Sequence, residues 1–222
     1  MKQLITFAFL AISLSTFGQV SHSISKFNEL EVTDKIPVTV ILSDKDSLII
    51  KGELASQVEV IQGDNILRLK MAAGNLMKGD QVEATLYTSN FQKVSARKGA
   101  IVLSGNSTFT PDSLSVVANE GAKIDLSVKT NHVEIYSNSG SSIELYGTAK
   151  RQNINIFAGG AYDAKALVSE SVTARVNAGG KCIVHATEFA DVQTRAGGSI
   201  QVYGSPKEKK QKKLAGGSIS FL

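Results

Sequence analysis

The acidic residues with the most suggestive spacing are Asp125, Glu144 and Asp163, which recur every 19 residues. Carboxylates brought side by side can hold a hard cation such as calcium, or a cationic ligand. Two carboxyl groups about 5 Å apart also suit retaining glycoside hydrolysis, but that chemistry needs a cleft and a raised pKa. No Arg or Lys is spaced with these acids beyond chance. Two readings stand: the simpler and favoured one, a solvated sheet face neutralised by Lys123 and Lys165, and a candidate ligand or cation face formed by the three acids. Tyr146 and Tyr203, with Tyr136 on a preceding strand, offer flat rings that stack on sugars or enter protein interfaces. Between positions 207 and 213 stand five lysines, Lys207, Lys209, Lys210, Lys212 and Lys213, with one glutamate, Glu208. The run has no arginine and no interleaved aromatic, which argues against nucleic-acid readout. It reads as a solvated basic loop between the last two coils, able to touch anionic lipid or polysaccharide.

Other chemistries find little support. Of the three histidines, His22 falls in a segment expected to be disordered, His132 in a loop after Asn131, and His185 at an outward strand position, so no metal site is expected. The single cysteine, Cys182, excludes an intramolecular disulfide and any multi-cysteine zinc or iron–sulfur centre. It is read as a small buried hydrophobe. No nucleophile elbow accompanies a Ser/His/Asp set. The reading is a non-enzymatic protein without cofactor or metal.

The elements that position these residues are strands. Val38, Val40 and Leu42, then Leu67, Leu69 and Met71, then Val82, Ala84 and Leu86, alternate with the period of half-buried strands, and helical periodicity is absent. From Lys98 onward the sequence repeats. Small-residue corners whose second members are 99, 122, 141, 160, 180, 198 and 217 follow one another at 18 to 23 residues. Two positions after each corner stand Ile101, Ile124, Ile143, Tyr162, Cys182, Ile200 and Ile219; four after stand Leu103, Leu126, Leu145, Ala164, Val184, Val202 and Phe221. Strand alternation sends both columns to one face and leaves Val102, Asp125, Glu144, Asp163, Ile183, Gln201 and Ser220 outward. A coil of about 20 residues cannot bury a core alone and becomes stable by stacking. The expected fold is all-β, a solenoid of about seven such coils with glycine corners, preceded by an N-terminal β region.

The boundaries follow. Residues 1–18 read as a signal peptide, with an apolar run too short to cross a bilayer and no following cysteine for a lipid anchor. Residues 19–26 are expected to be disordered, 27–97 to form the β region that starts the stack, and 98–222 to form the repeats. No transmembrane segment is expected. The product is read as exported, to the periplasm, the cell surface or the medium. The last coil shows no polar cap, so a partner, a second copy or a folded-over cap is expected to cover its exposed end. The formal charge of +4 reflects the lysine run on an otherwise nearly neutral chain.

The opening Phe27-Asn28-Glu29-Leu30-Glu31-Val32, the stretch Ile36-Pro37-Val38-Thr39-Val40, the stretch from Val94 to Gly105 and the Gly-Gly and Gly-Ser corners resemble the head GIN domain family of auto-transporter adhesins, secreted bacterial proteins. The resemblance covers most of the chain after residue 18. It implies a right-handed β-helix without catalytic residues, and a role in adhesion to a surface glycan or an envelope protein. The segment from Ser205 to Lys213 departs from the family pattern. The alternatives are a self-associating structural solenoid, joined through its exposed end as a homo-oligomer, and an enzyme acting on polysaccharide.

Overall fold

The computed structural model describes residues 18–222, so the expected signal peptide lies outside the described residues apart from Gly18. Strand accounts for 67% of the chain and helix for 4%, arranged as a β-solenoid of about seven turns with about 19 residues each. The N-terminal part holds β1 (Gln19–Ser23), β2 (Glu29–Val32), β3 (Pro37–Leu42), β4 (Ser47–Gly52), β5 (Val58–Gly63), β6 (Ile66–Met71), β7 (Val82–Thr88) and β8 (Lys93–Ala96). The repeats hold β9 (Ile101–Phe109), β10 (Ser113–Ala118), β11 (Lys123–Ser137), β12 (Ser142–Phe157), β13 (Ala161–Asn177), β14 (Lys181–Arg195), β15 (Ser199–Tyr203), β16 (Glu208–Leu214) and β17 (Ser218–Phe221).

The strands form two stacks joined by the corners. One runs β1, β4, β7, β3, β9, then the N-terminal parts of β11 to β14, then β15 and β17. The other runs β5, β6, β2, β8, β10, then the C-terminal parts of β11 to β14, then β16. Pairing is parallel except among β1, β4 and β7 and between β5 and β6. The N-terminal region does not stack in chain order: β2 and β3 lie between the β6/β7 rung and the β8/β9 rung.

The predicted inward column is observed from the second repeat onward. Ile124, Ile143, Tyr162, Cys182 and Ile200 stand in register and are fully buried or nearly so, and Ile219 tops the column. In the first repeat the register differs by one residue. Val102, expected outward, is buried and pairs with both Val38 and Ile124, whereas Ile101 and Leu103 lie on the partly exposed face. The reason is that the position equivalent to Ala122 is Ala100, not Gly99. The second stack buries a matching ladder of Leu67, Leu30, Val94, Val116, Ile135, Ile154, Ala174 and Val192. Each buried Ile, Leu or Val contributes roughly 1.5–3 kcal/mol, and together the ladders form one continuous core.

The corners share one geometry. Lys98-Gly99, Glu120-Gly121, Ser139-Gly140, Ala158-Gly159, Ala178-Gly179, Ala196-Gly197 and Ala215-Gly216 all carry positive φ at both residues, the signature of a type I′ reversal. At the last four corners the residue after the pair is a tightly placed glycine, and a Cβ added at Gly160 would lie 2.6 Å from the Ser137 carbonyl oxygen; the first three corners hold Ala100, Ala122 and Ser141 there. Asp34-Lys35, with φ of 61° and 64°, makes the same corner without glycine, and the Lys35 amide donates to the Lys98 carbonyl at 2.9 Å. The sequence pattern did not mark that corner because its glycine is missing.

Four expectations are corrected. Residues 19–23, expected to be disordered together with 24–26, form β1, which pairs antiparallel with β4 and half-covers Val20 and His22; Ile24 is buried. His132 lies within β11 rather than in a loop, because the long strands curve continuously around the bend. From Glu208 onward the lysine run is strand β16 and not a loop, with Lys207 just before it. The last coil has a polar cap on the second stack, where β16 sets Lys209, Gln211 and Lys213 above the inward residues Ala190, Val192 and Thr194, while on the first stack it ends, as expected, on the apolar Ile219 and Phe221.

Candidate functional site

The parallel register carries the three acids into one line. Asp125 stands opposite Glu144, and Glu144 opposite Asp163, all on the outward face of the first stack. Neighbours in such a ladder are about 4.8 Å apart. Burial and the charge of Glu144 push the Asp125 carboxyl above its ordinary range, against the opposing pull of Lys123. The Tyr146 phenol is pushed well above its ordinary range by its hydrogen bond to the Glu144 carboxylate, by burial, and by the charges of Asp125, Glu144 and Asp163. The acids and Tyr146 therefore act as one electrostatic unit. They stand in line rather than converging on a point, and among the described residues no group of three or more His, Cys, Asp or Glu side chains is disposed to hold a metal ion. Ile183 follows Asp163 in register and closes the row.

A bulge gives this face its relief. Glu144 pairs with Asp163 and Gly147 with Leu167, while on the other side Ala164 pairs with Val184 and Val168 with His185. Lys165 and Ala166 are thus left without partners on either neighbour and push outward, the usual effect of extra residues in one strand. Beside them lies a depression of about 400 Å³ lined by Glu144, Leu145, Tyr146, Asp163, Lys165 and Ala166. The Lys165 amide donates to Asp163 Oδ1 at 3.1 Å. Lys165 Nζ lies 4.5 Å from the centre of the Tyr203 ring, and His185 Nδ1 lies 3.3 Å from the Lys165 carbonyl oxygen. Tyr146 and Tyr203 do not touch as a pair; Lys165 and His185 stand between them. Tyr136 is apart from this face, on the second stack, with its ring centre 5.4 Å from that of Phe157.

The basic residues lie at the end of the stack. Lys207 Nζ pairs with Glu188 at 2.6 Å and Lys210 Nζ with Glu208 at 2.8 Å. Lys209 and Lys210 also sit 5.1 Å from the Phe221 ring and 5.2 Å from the Phe189 ring. Lys212 and Lys213 project from the exposed strand.

Sequence reasoning missed two features. One is a groove of about 690 Å³ along the bend between the stacks, lined among others by Asp112, Lys129, Asn131, Lys150, Glu170 and Thr187. The lysine-bearing segments Lys129-Thr130-Asn131 and Thr148-Ala149-Lys150, 19 residues apart, were its only sequence signal. The other is a buried polar chain under the groove floor: Tyr162 Oη donates to Gln152 Oε1 at 2.6 Å, and Gln152 Nε2 donates to Ser169 Oγ at 2.6 Å. Cys182 lies inward and fully buried, and burial pushes its thiol well above the usual range.

Comparison with known proteins agrees with this architecture. The family described as "Putative auto-transporter adhesin, head GIN domain" matches residues 26–206. A solved structure of a putative adhesin from Bacteroides fragilis is 22% identical, with a TM-score of 0.83 over 94% of this chain and 98% of its own. A putative adhesin from Parabacteroides distasonis is 17% identical with a TM-score of 0.74, covering 93% of this chain and 97% of its own. One from Parabacteroides merdae is 19% identical with a TM-score of 0.68, covering 94% and 97%. These likenesses establish the shared fold. No curated protein matches the sequence.

Proposed function

We propose, from the premise that this chain belongs to the auto-transporter adhesin family of the head GIN domain, that it is an exported adhesion module that binds without catalysing. The signal-like segment at residues 1–18 supports export to the cell envelope or beyond. No helix among the described residues is long and apolar enough to cross a membrane. The binding surface is the outward face of the first stack, and its ligand is a surface polysaccharide.

The observation that carries this reading is the bulge-built depression, where an acid row, the Tyr146 ring and the protruding Lys165 meet on an open face. Sugar rings present hydroxyl groups to carboxylates and ammonium groups, and an apolar face to aromatic side chains. An open shelf accepts a polymer passing across it, whereas hydrolysis of that polymer would need a cleft that grips the sugar between a paired acid and base and admits one positioned water. The direct trial is a glycan array with the wild-type chain and with Tyr146→Ala and Tyr203→Ala. Loss of the bound glycans in Tyr146→Ala, with a smaller loss in Tyr203→Ala, is expected. Unchanged profiles in both variants would remove this face from consideration.

A further inference from the structure

The last rung carries a charge pattern that the rungs beneath it lack. Its inward positions on β16 are Lys209, Gln211 and Lys213, directly above Ala190, Val192 and Thr194. Lysine stems can lie over apolar side chains while the ammonium stays in water, and Lys209 Nζ lies 5.1 Å from the centre of the Phe221 ring. Lys207 and Lys210 are each held by a carboxylate. Among the described residues Lys209, Lys212 and Lys213 have no carboxylate partner. The same rung exposes apolar groups: Leu214 and Leu222 are 36% and 56% exposed, and Ile219 and Phe221 are only partly buried at the top of the inward ladder.

We propose that this rung is a docking surface for a bilayer containing anionic lipid, met end-on by the solenoid. Three partners can be compared by chemistry. A second copy stacked on β16 would bury unpaired ammonium groups against a rung, and taking such charges out of water is costly. A soluble polyanion would satisfy the lysines but leave Leu214, Phe221 and Leu222 in water. A bilayer surface satisfies both, since lipid headgroups neutralise lysines while apolar side chains enter the boundary beneath them. Export to an envelope is not required for the contact itself, and neither is the lateral binding face.

Vesicle flotation tests the idea with the mature chain. Three unpaired lysines at roughly five-fold each predict about a hundred-fold preference for phosphatidylcholine vesicles containing phosphatidylglycerol over phosphatidylcholine alone. Added salt is expected to erode that preference. The variant Lys209→Gln, Lys212→Gln, Lys213→Gln keeps a polar cap, so its thermal midpoint stays near wild type while the preference disappears. Leu214→Ser with Leu222→Ser weakens binding to the anionic vesicles and leaves the salt dependence intact. Equal flotation with both vesicles, or an undiminished preference in the triple glutamine variant, overturns the proposal. So does tight capture of soluble polyphosphate without flotation, which would make the rung a polyanion site instead.

Discussion

Tyr162 occupies the place that Ile124 and Ile143 fill on the preceding rungs, and it brings a phenol hydroxyl into the core. A buried hydroxyl without a partner is expensive, and the Oε1 of Gln152, itself buried from the adjoining stack, accepts its hydrogen bond at 2.6 Å. Tyr162→Phe leaves Gln152 Oε1 without that donor and is expected to cost about 1–3 kcal/mol of stability in urea unfolding. Adding Gln152→Leu to it should return part of the loss, because replacing both partners with apolar groups removes the unmet need; no recovery would mean that the pair is not acting as a unit. Tyr162 was legible in the sequence as an inward residue, since its column position follows from the repeat. Its partner was not, because Gln152 lies on a different strand and only the curvature of β12 brings it across the core. The acid row shows the complementary case: Asp125, Glu144 and Asp163 share a repeat position, so parallel register alone lines them up.

Corners and bulges decide where the repeating strands place these residues. Gly159 has φ of +76° with open space around its missing Cβ, while Gly160 has a carbonyl oxygen 2.6 Å from where a Cβ would be. The two glycines of one corner therefore answer different demands. Gly159→Ala is expected to cost about 1 kcal/mol, the ordinary penalty of a left-handed backbone, and the neighbouring Ala158 already tolerates positive φ. Gly160→Ala is expected to cost about 2–3 kcal/mol, as overpacking against rigid backbone does. Chemical denaturation of the two variants checks the order, and equal losses would refute the distinction. The bulge at Lys165 left a trace in the sequence, since the coil between the corners at 160 and 180 is one residue longer than its predecessor. The spacing told that a residue was extra; which neighbour it faced depended on the pairing with both β12 and β14.

At the scale of the molecule the solenoid has two unlike ends. The N-terminal end is finished by antiparallel pairing of β1 with β4 and β5 with β6, which breaks the parallel stack. On the last described rung the second stack carries lysines at inward positions above Ala190 and Thr194, a device that blunts an edge by making further stacking bury charge, while the first stack carries Ile219 and Phe221 there. Lys209→Val, Gln211→Val and Lys213→Val together would extend the apolar ladder by one rung and expose it. That variant is expected to self-associate in light scattering at concentrations where the wild type gives smaller particles. If both scatter alike, the lysines do not guard the end.

The sequence by itself determined the all-β class, the coil length, the position of the corners from Glu120 onward and the inward column above them. These are periodic properties, and a parallel stack converts equal spacing along the chain into neighbours in space. Only the tertiary structure decided the insertion of β2 and β3 between later strands, the one-residue register of the first repeat, the Lys165 bulge and the turning of the lysine run into the capping strand. Those are departures from the period, and a departure has meaning only against the strands on either side of it. Hydrogen bonding and burial between rungs choose among the registers that the sequence leaves open.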